Sequence, residues 1–162
     1  MFVSAGTDFH RFDRLMRWVQ DWAVDHPEAT VVVQHGNSTP PRGCENLDML
    51  TIEEMADQLG RADVVVVSCG PGAVMAARSA GHKPVAVARV DGEAVDDHQV
   101  AFSRLLVQHD IAHVAAGERE LHDLLDRAMA DGSEFRCELP SEEPPEAAAV
   151  FGALVDRLVS GR

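Results

Sequence analysis

ADVVVVSCGPGAVMAARSAGHKPVAVARVDGEAVDDHQ, residues 62–99, decides the fold of this chain. Residues 64–67 are an unbroken run of valine, the composition of a strand buried on both faces. Ser68-Cys69-Gly70-Pro71-Gly72 is a tight turn, and residues 73–80 take up a helix. Lys83-Pro84 leads into a second apolar run, 85–88. A charged loop follows, and Asp96-Asp97-His98-Gln99 opens the next helix. Strand, helix, strand, helix in this order predicts parallel strands joined by right-handed crossovers. Two helix N-termini then lie at the carboxyl ends of adjacent strands. Unpaired N–H groups and the helix dipole favour an anion there.

The same alternation extends in both directions. Residues 1–5 read as a strand that turns at Gly6-Thr7-Asp8. Phe12, Leu15, Met16, Val19, Trp22 and Ala23 recur at helical spacing until Asp25-His26-Pro27 ends the run. A second strand is expected over 30–33, a proline-bearing loop over 38–45, and a third strand near 48–50. Thr51 with Glu54 forms a capping-box pattern ahead of Ile52, Met55, Ala56 and Leu59. Beyond the opening stretch, a helix from Asp97 should turn Val100, Ala101, Leu105 and Leu106 inward. A strand over 111–115 and a helix over 118–130 follow. The expected fold class is α/β: a Rossmann-like open parallel sheet with helices on both faces. The domain runs over 1–139, and 140–162 form an acidic, proline-containing linker and a C-terminal amphipathic helix striped by Val150, Phe151, Leu154, Val155, Leu158 and Val159.

Composition narrows the function. With 46% apolar and 25% charged residues, 162 residues suit one globular domain with a real core. A formal charge of −13 argues against nucleic-acid binding through phosphate neutralisation and against anionic lipid surfaces. Cys44, Cys69 and Cys137 are scattered without a CxxC, which fits reduced thiols in a cytoplasmic protein. No apolar stretch is long enough for a membrane span, so no direct membrane insertion is expected. Despite 8 histidines, no HxH, HExxH or Cys–His spacing appears, and no metal site is expected. Ser68 lacks the GxSxG elbow of a serine hydrolase.

The candidate site residues gather at strand ends. Gly70-Pro71-Gly72 lets main-chain N–H groups approach a phosphate without an intervening Cβ, although any strand-to-helix turn uses glycine for shape alone. One of Asp96 and Asp97 can cap the following helix, but capping leaves His98 and Gln99 unexplained. Gln99 offers a donor and an acceptor, which suits vicinal sugar hydroxyls. Gly6-Thr7-Asp8 and Gln34-His35-Gly36 belong to the same sheet edge and should converge on one cleft. His10, just beyond, has an ordinary surface or capping role as its alternative.

Taken together, residues 3–8, His10, residues 12–15, Gln34-His35-Gly36, Gly70-Pro71-Gly72, Gly81, Pro84, Arg89, Gly92-Glu93 and residues 95–99 resemble the glycosyltransferase family 28 C-terminal domain. The resemblance covers about the first 115 residues. It is to the stand-alone type, found as the catalytic subunit of the dolichol-linked N-acetylglucosamine transferase and in bacterial exopolysaccharide glycosyltransferases. It implies the C-terminal, donor-binding half of a GT-B glycosyltransferase. The substrate would be a UDP-sugar, of the N-acetylglucosamine or glucuronic acid class, bound without a metal cofactor. A membrane-anchored partner subunit would hold a lipid-linked acceptor, keep this cytoplasmic chain at the membrane, and supply the general base. The donor site so implied comprises Gly6, Thr7, His10, Ser68, Gly70, Pro71, Gly72, Ala73, Asp97, His98 and Gln99. Where similar proteins carry His, Thr and Glu, this chain has Ser68, Ala73 and Ala76; that Glu typically holds the donor ribose. A non-catalytic nucleotide-sugar-binding or scaffold subunit is therefore the alternative, and a flavodoxin-like or stress-protein-like nucleotide binder a third.

Overall fold

Valine-rich strands with little polar surface must be covered on both faces, and here they are. A computed structural model describes residues 1–90, 92–94 and 98–139. The elements in order are β1 (Phe2–Ser4), α1 (Asp13–Asp25), β2 (Val32–Gln34), β3 (Glu45–Leu47), α2 (Ile52–Arg61), β4 (Val65–Ser68), α3 (Pro71–Ser79), β5 (Val85–Val87), α4 (His98–Gln108), β6 (His113–Val114) and α5 (Glu118–Ala130), then a 3₁₀ turn, Gly132–Phe135. The six strands form one parallel sheet in the order β3-β2-β1-β4-β5-β6. The α/β Rossmann-like expectation holds.

Alternation along each strand divides the core between two layers. Val3, Val33, Val66, Val85 and Val87 meet α1 and α5 through Leu15, Met16, Val19, Trp22, Leu121 and Leu125. Phe2, Val65, Val67 and Ala86 face the other way, onto Leu59 of α2, Val74 and Ala77 of α3, and Phe102 and Leu106 of α4. Polar bonds join α1 to α5: Trp22 Nε1 donates to Asp126 Oδ1 at 2.7 Å, and His122 Nε2 donates to the Trp18 carbonyl at 2.8 Å.

Two expectations need correction. The third strand is Glu45–Leu47, not residues 48–50. It is an edge strand with two exposed residues, so no apolar run marks it, and only its pairing with β2 defines it. In α4 the buried residues are Phe102, Ser103 and Leu106; Ala101 is exposed, and Val100 and Leu105 are half-buried. Phe102 sets that helical phase because it is the largest side chain available to fill the layer beside Val74. Asp97, the acidic linker and the C-terminal helix lie outside the described residues.

The chain reverses its direction across the sheet once. From β1 it winds outward to β2 and β3, then returns through α2 to β4 on the other side of β1. The carboxyl ends of β1 and β4 therefore point their following loops apart and leave a crevice between them.

Candidate functional site

The crevice is a cleft of about 370 Å³. Residues 4–8 leaving β1 form one wall, and the β4–α3 turn with the start of α3 forms the other. Gln99 closes the end. Of the residues singled out from sequence, Gly6, Thr7, Ser68, Gly70, Pro71, Gly72, Ala73 and Gln99 line it. His98 is exposed on the first turn of α4 and is not among the lining residues.

The β1 wall is rigidly made. Gly6 has φ +80°, and a Cβ there would stand 3.0 Å from Ser68 Oγ. Glycine is required both for its conformation and for the close passage of β4. The buried Gln34 side chain brackets the Gly6 peptide: its Oε1 accepts from Gly6 N–H at 3.2 Å and from Ser4 Oγ at 2.8 Å, while its Nε2 donates to Gly6 O at 3.2 Å. Asp8 Oδ1 accepts from both the N–H and the Nδ1 of His10, at 2.8 and 2.7 Å. Burial raises the Asp8 pKa, but the two His10 hydrogen bonds together with the charges of Arg89 and His10 hold the carboxyl below its ordinary value. His10 therefore contacts Asp8 and does not itself line the cleft.

The opposite wall offers bare main-chain donors. Gly70 lines the cleft, and its N–H donates to Ser68 O at 2.7 Å. Pro71, at the first helical position, has no N–H. Among the described residues no side chain caps α3, which leaves the N–H groups of Gly72 and Ala73 as the exposed end of the dipole. A Cβ on Gly72 would meet nothing within 4 Å, so the fold does not itself demand glycine there. Cys69, beneath the turn, is pushed up to about 12 by burial and is an inert packing thiol.

At the closed end, Gln99 Oε1 accepts from Arg89 N–H at 3.1 Å, which fixes the amide orientation. Sequence reading noted Arg89 without giving it a role. In the fold its side chain is buried, and among the described residues it is the only cationic residue lining the cleft. Past Ala76 the cleft meets an apolar groove of about 620 Å³ between α2 and α3, with Met55, Leu59 and Ala76 shared by both. Among the described residues no three of His, Cys, Asp and Glu group so as to hold a metal ion, and no helix is long and apolar enough to cross a membrane.

No protein-family model matches the sequence, and neither does any curated protein. Solved structures do match. MurG of Acinetobacter baumannii superposes with a TM-score of 0.55 and 19% identity, over 82% of this chain and 42% of that one. The shared fold is a Rossmann-like parallel α/β sheet. The glycosyltransferase of kitacinnamycin gives a TM-score of 0.57 at 15% identity, over 98% of this chain and 39% of that one. The glycosyltransferase SnogD from Streptomyces nogalater gives 0.50 at 20%, over 94% and 42%. This chain thus spans about two-fifths of the length of each of these neighbours.

Proposed function

We propose that this chain is the donor-binding subunit of a glycosyltransferase. It would move a sugar of the N-acetylglucosamine or glucuronic acid class from a UDP-sugar to a lipid-linked acceptor. The observation that carries the proposal is the crevice between β1 and β4, with the uncapped α3 N-terminus on one wall and Gln99 at its end. The N–H groups of Gly72 and Ala73 would hold the diphosphate and stabilise it as it departs, without a metal. Gly6 and Thr7 line the phosphate side, and Ser68 forms the floor. Gln99, with Asp97 or His98, would read sugar hydroxyls.

The general base and the acceptor would come from a membrane-anchored partner facing the same sheet edge, with this subunit in the cytoplasm. The cleft edge is open, and beyond the carboxyl ends of the strands Phe9 and Met49 are exposed on loops and Ile52 at the start of α2, at 71%, 52% and 87%. The test is binding of UDP and UDP-N-acetylglucosamine by calorimetry. Gln99→Ala should weaken the UDP-sugar more than UDP. Equal losses for the two ligands would remove the sugar-reading role from Gln99.

A second reading has its own observation. Ala73 and Ala76 put no hydroxyl or carboxylate into the cleft, and Ala76 opens onto apolar surface instead. Missing a hydrogen bond from a charged group weakens binding by about 1.5–3 kcal/mol. A scaffold subunit that keeps the fold without the donor would show neither heat nor a thermal shift with millimolar UDP.

A further inference from the structure

Arg89 follows β5 and is 1% exposed, among the largest fully buried side chains of the molecule. Its Nη2 donates to Ala5 O at 2.8 Å. Its Nη1 donates to His10 O at 2.8 Å and to Glu93 O at 3.0 Å. The guanidinium lies over the Phe12 ring, 4.5 Å from its centroid. Its own N–H donates to Gln99 Oε1. One residue therefore bonds to both ends of the loop after β1, to the loop after β5, and to the first turn of α4.

Arg14 reinforces only one of these places. Its Nε and Nη2 grip the Glu93 carboxylate at 2.8–3.3 Å, and Nη2 also donates to Ala88 O at 2.7 Å.

Filling space alone does not explain Arg89. A buried guanidinium is costly, and its buried Nε has no hydrogen-bond partner among the described residues. The partners of the side chain are main-chain carbonyls, so the fold uses the cation to hold backbone. Lysine has a compact ammonium and could not span three carbonyls in one plane.

We propose that Arg89 is a positioning residue of the cleft: it locks the β1–α1 loop, Glu93 and Gln99 at the start of α4 into one unit, and so sets the distance from Gly6 to Gln99. The consequence for loop motion follows from this geometry alone; the consequence for ligands rests on the donor-site reading above.

Hydrogen exchange of the ligand-free protein, followed by mass spectrometry, tests the first part. Arg89→Lys should speed exchange together in residues 5–12, 92–94 and 98–100 and leave 65–79 unchanged. Binding tests the second part. UDP-N-acetylglucosamine should lose at least tenfold in affinity, while UDP, held at the α3 end, loses threefold or less. Unchanged exchange in either loop overturns the proposal. So does faster exchange throughout the sheet with equal losses for both ligands, the signature of a core filler.

Should Arg89→Lys fail to fold, Arg14→Gln carries the test. Exchange should rise at 92–94 but not at 5–12, because the three Arg89 bonds remain. An equal rise at 5–12 would move the hold to Arg14 and overturn the assignment. If the wild type binds neither ligand, the donor reading fails, while the exchange pattern still decides the role of Arg89.

Discussion

Two glycines of the cleft ask opposite things of their surroundings. Gly6 is required by the fold: its positive φ disfavours a side chain by roughly 1–2 kcal/mol, before any contact with Ser68 Oγ at 3.0 Å is counted. Gly6→Ala should therefore lower the unfolding free energy by at least about that amount in denaturant titration. Adding Ser68→Ala should recover the contact part and not the conformational part. Gly72 is different, because its Cβ position is open and its backbone is helical. Gly72→Ala should stabilise the free protein by up to about 1 kcal/mol, read as a rise of a few degrees in Tm. The same methyl would stand beside the N–H groups offered to the diphosphate, so UDP affinity should fall at least tenfold. A variant that is more stable and binds UDP as before would remove the α3 N-terminus from the site.

The elements differ in how openly the sequence announces them. The capping box of α2 is local, and it forms as read: Glu54 N–H donates to Thr51 Oγ1 at 3.2 Å, and Thr51 N–H to Glu54 Oε2 at 2.8 Å. Thr51→Ala should cost about 1 kcal/mol, measured by chemical denaturation, with no change in the β1 side of the cleft. A loss near zero would mean that α2 is held by Leu59 and its packing alone. By contrast, β3 has no apolar pattern, and α4 presents several apolar residues whose inward phase Phe102 selects. Such elements are fixed by a neighbour, so a reading of their own residues misplaces them. The same limit applies at Gly70. The turn is visible in sequence, but the Ser68 carbonyl that takes its N–H is not.

At the scale of the whole molecule, His82 ties distant parts together. It is buried after α3; its Nε2 donates to Leu59 O at the end of α2 at 2.8 Å, and its backbone bridges to Arg136. Its Nδ1 is buried without a hydrogen-bond partner among the described residues. Burial lowers the pKa below 6.5, the carbonyl bond and Asp63 pull it up, and Arg136 pushes it down. The unfolded chain therefore takes up the proton first on acidification. The contribution of His82 is complete above about pH 6.5 and is lost as pH falls from there toward the folded value. Chemical denaturation between pH 7.5 and 5 should show a steeper loss for wild type than for His82→Gln, which keeps a donor for Leu59 O; parallel curves would place the acid sensitivity elsewhere. The sequence by itself determined the α/β class, the parallel strands, the two-layer core and the glycine turns, because periodicity, β-branching and the absence of Cβ act locally. Only the tertiary structure decided that residues 4–8, 68–76, Arg89 and Gln99 share one cleft, that Asp8 and not His10 faces it, and that a buried arginine binds its loops together. Those facts depend on which strand lies beside which, and strand order is set by packing across the whole sheet.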